Sequence, residues 1–138
     1  MRIVLALLAV LATAAGGVVA TRPEERGCVH PDGVANVSFS ATKYPHIRRH
    51  YEAAVAAGWP RVLVLRRDGA DTRRSRLLDG YDTRSGLDRD EYPPAVARSG
   101  WRASVAYVPS HENRSHGAVL GTKLRRFCNG TRFRYVFY

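Results

Sequence analysis

The sequence predicts an α+β fold: one small domain with a mostly antiparallel sheet and two main helices. Two observations carry this. Short runs rich in β-branched and aromatic residues fall at 34–39, 61–65, 104–108 and 131–138. Between them lie two stretches with apolar residues at helical spacing, separated from the runs by Gly58, Pro93-Pro94 and Asn129-Gly130. There is no repeat, low-complexity tract or linker, so a single core around two helices is the economical arrangement.

The chain opens Met1, Arg2 and "IVLALLAVLATAAGGVVA", one positive charge, an apolar run and small residues. Residues 1–20 are expected to be a secretory signal peptide cleaved after Ala20. Its strongly apolar part, Ile3 to Ala12, is short against the roughly 20 residues of a membrane span. The protein is therefore expected outside the cell, without stable membrane association after cleavage. Residues 21–43 form an N-terminal extension, within which 34–39 alternates as a strand, and the main domain runs from 44 to 138. Lys43-Tyr44-Pro45 starts a helix in which Ile47, Tyr51, Ala54 and Val55 recur on one face, and Gly58 stops it. Arg61 to Leu65 reads as a buried strand. Residues 66–80 carry Arg66, Arg67, Arg73, Arg74 and Arg76 and read as a surface loop or hairpin, solvated or tracking phosphates. A strand at 104–108 leads into a turn and then a helix from about Ser115 to Arg126, with Lys123, Arg125 and Arg126 where the helix dipole favours cations. Residues 131–138 close as a strand.

With 22 Lys and Arg against 12 Asp and Glu, the chain has a formal net charge of +10. That field attracts polyanions, nucleic acid first among them. The two cysteines, Cys28 and Cys128, are an even number in an exported chain, so a disulfide is expected. Without a CxxC pair, a cysteine zinc site has no support.

Against this cationic background, "LDRDEYPPA" places Asp88, Asp90 and Glu91 within four positions. Three adjacent carboxylates repel one another and need solvent, nearby Arg or a hard cation; Mg²⁺, Mn²⁺ and Ca²⁺ suit such oxygen sets. In extended backbone Asp88 and Asp90 point one way, Arg89 and Glu91 the other. The plain alternative is a solvated acidic turn capping a helix near Pro94. A second cluster, His111-Glu112-Asn113-Arg114, tips the balance. Glu112 and Asn113 are oxygen donors, Arg114 can fork onto a phosphate, and backbone N–H groups at a helix start favour anions. An acidic strand, a second strand and a helix opened by oxygen ligands could hold one divalent ion that polarises a phosphodiester.

The stretch "GLDRDEYPPAVARSGWRASVAYVPSHENRSHGAVLGTKL" resembles the core of the NucA/NucB family of small secreted bacterial deoxyribonucleases. Asp88 to Pro93 match its Asp-Arg-Asp-Glu-aromatic-Pro pattern. Pro109-Ser110 to Arg114, with His111 as an extra residue, match its Pro-Ser-(Asp/Glu)-Asn-Arg. The resemblance extends from about Tyr44 to Tyr138. It implies a metal-dependent, sequence-nonspecific endonuclease with a reduced ββα-metal site, acting on DNA and conceivably RNA as a monomer. The implied cofactor is Mg²⁺ or Mn²⁺, with Asp90, Glu91, Glu112 and Asn113 as the ligands. With no His in the acidic motif, Asp88 or Asp90 activates the water. Arg89, Arg114, Lys123 and Arg125 engage the phosphate backbone.

The sequence departs from the family where Cys is common, near Leu63 and Ala97. It also departs at Ser115, where Gly is usual, and at Thr122, where Asn is expected. Of the five histidines, most are expected at the surface. His46 and His50 share a helix face four residues apart, but no neighbouring carboxylate completes a metal site. His111 and His116 flank the proposed ligands as candidate acids or bases. The competing reading is a non-enzymatic secreted binder of DNA or another polyanion.

Overall fold

The computed structural model describes residues 27–99 and 102–138. The expected signal peptide lies outside the described residues. In chain order the elements are β1 (Ala35–Phe39), α1 (Pro45–Ala56), β2 (Leu63–Val64), α2 (Ala70–Leu77), β3 (Leu87–Tyr92), β4 (Ser104–Pro109), α3 (Ser110–Leu124) and β5 (Arg132–Phe137). The fold is α+β, as the sequence predicts.

β5 is the middle strand of a three-stranded sheet ordered β1-β5-β2. β1 runs parallel to it, Ala35 opposite Phe133 and Phe39 opposite Phe137, while β2 is antiparallel. One pairing is thus parallel in a sheet expected to be mostly antiparallel. β1 and β5 are chain-terminal partners separated by every other element, so the connection between them is long enough to allow it. A second sheet is the antiparallel hairpin β3-β4, with Asp88 opposite Val108 and Asp90 opposite Ala106.

Alternation decides which faces are buried. β1 buries Ala35, Val37 and Phe39, and β5 buries Phe133 and Tyr135 against them. α1 presents Ile47, Tyr51 and Ala54 to the same core, and Leu120 and Leu124 come from α3. Burying each of these large side chains contributes roughly 1.5–3 kcal/mol. Leu63 and Ala97 are both in this core at 2% and 0% exposure.

Three elements differ from the sequence reading. The Arg-rich segment read as a loop contains α2. Its sequence, ADTRRSRL, has no apolar stripe, because its buried residues are an arginine and a single leucine, Arg73 and Leu77. Arg73 is 4% exposed. Its guanidinium donates to the carbonyls of Ala95, Asp68 and Arg66, so backbone oxygens hold the charge and the Asp68 carboxylate adds an electrostatic pull. α3 begins at Ser110, not near Ser115, which puts Glu112 and Asn113 in its first turn. β2 is only two residues long; the next residue, Leu65, bridges to Ala97 and bonds through its backbone to Thr131 and Gly130, just ahead of β5. No helix forms near Pro94.

Cys28 and Cys128 are bonded, their Cα atoms 5.1 Å apart. The adjacent Val29 bridges to Phe127. The described part of the expected N-terminal extension is therefore built into the domain, through this bond and through β1. Among the described residues no helix is long and apolar enough to cross a membrane.

Candidate active site

β3 points its side chains alternately, as the sequence predicts, and each charged residue meets a different element. Asp88 faces α3. Its Oδ1 accepts from Ser110 Oγ at 2.7 Å, and its Oδ2 accepts from Arg114 Nε at 3.0 Å. The Arg114 hydrogen bond, then that of Ser110, holds the Asp88 pKa below the ordinary carboxylate range. Asp90 faces α1, where His50 Nδ1 lies 2.6 Å from Oδ2. Glu91 faces α2 and is 6% exposed. Arg74 Nη1 donates to both its oxygens, at 2.5 and 2.7 Å. Burial raises the Glu91 pKa and Asp90 adds to the rise, while Arg74 opposes it. Arg89 is turned away, donating to the carbonyls of Leu78 and Tyr81. It braces the loop before β3 rather than presenting itself to a ligand.

Although they lie on both faces of the strand, Asp88, Asp90 and Glu91 line one cavity of about 420 Å³. Asn113, Arg114, His116 and Gly117 from α3 form its other wall, and Arg74 from α2 contributes to its rim. The hairpin and the first turns of α3 thus bring together Asp88, Asp90, Glu91, Asn113 and Arg114.

Glu112 is not among the residues around this cavity. It is 4% exposed and faces the start of α1. Its Oε1 accepts from the backbone N–H groups of His46 and Ile47 at 2.8 and 3.0 Å, and Oε2 lies 2.7 Å from His46 Nδ1. The carboxylate caps a helix whose own N-cap residue, Tyr44, offers no side-chain oxygen to it. Lys123 and Arg125 also lie elsewhere. Lys123 sits with Thr122 and Arg126 along Asn36–Ser38 of β1, and Arg125 is exposed beyond the end of α3. Thr122 donates its hydroxyl to the Ala118 carbonyl within its own helix. Ser115 Oγ is 3.1 Å from the Tyr44 hydroxyl and braces the entry to α1.

Three of the five histidines, His30, His46 and His111, are exposed, as the sequence predicts. His50 and His116 are buried at 7% and 4% exposure. His46 and His50 do each have a carboxylate, Glu112 and Asp90, but as two separate pairs rather than one site. His116 packs on Phe39 with ring centroids 4.3 Å apart. Burial lowers its pKa, against opposing pulls from Asp90 and Glu112. His111 is exposed.

Among the described residues no group of three or more His, Cys, Asp or Glu side chains is assembled to hold a metal ion. The donor chemistry around the cavity is nonetheless that of a hard divalent ion. Carboxylate and amide oxygens meet there, and no thiolate does.

No protein-family model matches the chain. The chain is 33% identical over 101 residues to the DNA-entry nuclease of Bacillus subtilis (strain 168), a match covering 72% of this chain and 69% of that protein. The chain belongs to the NucA/NucB nuclease family. The acidic hairpin and the helix after it are thus part of a nuclease-family domain.

Within this NucA/NucB domain, His50, Ser104, Arg74 and Ser110 are the site residues that sequence reasoning missed. His50 and Ser104 carry no local pattern that joins them to Asp90. Arg74 was one of five arginines in a segment without periodicity. Ser110 opens α3 in a first turn that reads as a polar loop, so its contact with Asp88 has no local signal either.

Proposed function

We propose that the protein is a secreted, metal-dependent endonuclease that hydrolyses DNA without sequence preference. The observation that carries this reading is the convergence of Asp88, Asp90, Glu91 and Asn113 on one cavity of a strongly cationic chain. Kinship to a protein named a DNA-entry nuclease supports DNA as the substrate. The Cys28–Cys128 bond supports an oxidising, extracellular setting. The succession β3, β4, α3 supports the reduced ββα-metal site that the resemblance implies.

The ligand set expected from sequence narrows. Glu112 is committed to α1, Glu91 to Arg74 and Asp90 to His50. Asp88 and Asn113, adjacent across the junction of β3 and α3, would hold the ion, with water and phosphate oxygens completing its shell. When bound, a divalent ion polarises the phosphodiester and stabilises the departing 3′ oxygen.

The other steps belong to the chain's own residues. Arg114, with a side chain 75% exposed, exchanges its bond with Asp88 for the incoming phosphate. Asp90 takes the proton from a water that attacks phosphorus in line with the 3′ oxygen. As that P–O bond breaks, the alkoxide gains a proton from solvent, and Asp90 later returns its own. Asp88 is kept for the ion, since its hydrogen bonds favour the ionised form that a ligand needs. Surface cations contact phosphates rather than base edges, which gives affinity without sequence preference.

A plasmid-nicking assay with Mg²⁺ or Mn²⁺, with and without chelator, tests the reading on wild type and Asp90→Ala. Nicking should require the ion and fall by orders of magnitude in the variant. Nicking unchanged by both would overturn the mechanism. Salt-dependent DNA binding without cleavage under any divalent ion would instead establish a non-enzymatic binder.

A further inference from the structure

We propose that His50 is a positioning residue that fixes the orientation of the Asp90 carboxylate, and that Ser104 fixes His50 in turn. The inference rests on the nuclease reading above and adds residues to it.

Both ring nitrogens of His50 are engaged. Nδ1 lies 2.6 Å from Asp90 Oδ2, and Nε2 lies 3.0 Å from Ser104 Oγ. A carboxylate only accepts, so Nδ1 carries the hydrogen. In the neutral ring Nε2 then accepts from the Ser104 hydroxyl. The hairpin register makes the fit possible. Asp90 pairs with Ala106 and Ser104 with Tyr92, so a carboxylate on β3 and a hydroxyl on β4 lie diagonally across one face. One imidazole spans the two.

The carboxylates of β3 differ in the partners they have. Arg114 and Arg74, which hold Asp88 and Glu91, have side chains 75% and 45% exposed. Both can swing toward an incoming phosphate. The His50 side chain is 5% exposed and cannot. Its depth is set from outside the hairpin as well. Glu112 grips the backbone N–H groups of His46 and Ile47, and His50 follows one turn later on the same helix. Of the three carboxylates, Asp90 is therefore the one whose basic side-chain partner is buried and fixed, although Glu91 also accepts from the backbone of Ala95. That is the arrangement required of a group that must meet water at a fixed angle.

The test measures nicking kinetics at saturating Mg²⁺ on wild type, His50→Ala, His50→Asn, His50→Gln and Ser104→Ala, with melting curves for each. Loss of such a supporting hydrogen bond in His50→Ala should lower kcat by roughly 10- to 100-fold. KM should stay within about twofold, since binding is untouched. An Asn amide can occupy the Nδ1 position and a Gln amide the Nε2 position. His50→Asn should therefore recover most of the rate and His50→Gln should not. Ser104→Ala should cost less than His50→Ala. Nitrogen NMR of the imidazole should show the Nδ1–H tautomer in wild type and its loss in Asp90→Asn. If His50→Ala does not fold, the Asn–Gln contrast and Ser104→Ala still decide the matter. A folded His50→Ala with unchanged kcat, or equal rates for Asn and Gln, would overturn the positioning role while leaving the nuclease reading intact. Wild type inactive with every divalent ion would overturn both.

Discussion

Replacing Glu112 with alanine separates two roles for one carboxylate. As a metal ligand it would matter to ion binding; as the cap of α1 it matters to folding. The structure gives the scale of the second. Glu112 accepts from two backbone N–H groups, His46 at 2.8 Å and Ile47 at 3.0 Å, and Ile47 is 2% exposed. Leaving buried donors unsatisfied costs about 1–3 kcal/mol each. The His46 ring is 46% exposed, so its contact with Oε2 adds little after solvent screening. Glu112→Ala should therefore lose roughly 3–5 kcal/mol of unfolding free energy. At about 4 °C per kcal/mol for a domain near this size, Tm should fall by roughly 12–20 °C. Glu112→Gln keeps a carbonyl oxygen for the two N–H groups and should lose only about 1–2 kcal/mol. Urea denaturation gives the free energies, and calorimetric titration with Mn²⁺ gives the ion affinity. If Glu112→Ala stays within about 1 kcal/mol of wild type but loses Mn²⁺ binding, the carboxylate is a ligand and the capping argument is wrong.

Arg74→Ala leaves Glu91 buried without its cation. Because Arg74 is half exposed, the loss should be roughly 1–3 kcal/mol, below that of a fully buried pair. Glu91→Gln tests the other side of that pair. Burial raises the folded-state pKa of Glu91. The stability linked to its proton is thus complete below the ordinary Glu pKa and lost as pH rises through the raised value. Urea midpoints of wild type should fall across that window, and those of Glu91→Gln should not. Asp88 has the opposite sign. Its stabilisation is present above the ordinary Asp pKa and lost as pH falls through the lowered folded value. Arg114→Ala should move the Asp88 carboxyl resonance in an NMR pH titration back toward the ordinary range, with Ser110 retaining part of the shift. Removing the disulfide by Cys28→Ser with Cys128→Ser should cost up to about 4–5 kcal/mol in a urea melt, since it closes a chain separation of 100 residues.

What could be read from the sequence was what is local. Strand alternation places β1 and β5, the run at 104–108 places β4, and the spacing of Ile47, Tyr51 and Ala54 places α1. The opposed directions of Asp88 and Arg89 followed from the pleat alone. α2 could not be read, because it is anchored by Arg73 bonding to carbonyls, and periodicity scales count arginine as solvent-facing. The early start of α3 was hidden by a first turn, SHEN, that looks like a polar loop. The sequence groups Glu112 with Asn113 as oxygen donors. On a helix, neighbours point about 100° apart, and that rotation sends one side chain to α1 and the other to the cavity. His50 and Asp90 are 40 residues apart, and nothing in either segment announces their contact.

The pairs also explain how a chain of net charge +10 tolerates its acidic strand. Every carboxylate of the two motifs has a basic partner, and the partners come from all three helices: Arg114 from α3, Arg74 from α2, His50 and His46 from α1. β3 is thus the rail on which the three helices are hung. A cation entering beside Asp88 would compete with Arg114, whose exposed side chain is free to turn to a phosphate instead. On the proposed function, ion binding and substrate capture would be one exchange rather than two events. The fixed pair, His50 with Asp90, stands outside that exchange. Divalent ion and DNA should therefore bind with mutual enhancement in wild type. In Arg114→Ala the enhancement should shrink while Asp88 remains available to the ion, a coupling that titrations of each ligand in the presence and absence of the other would measure.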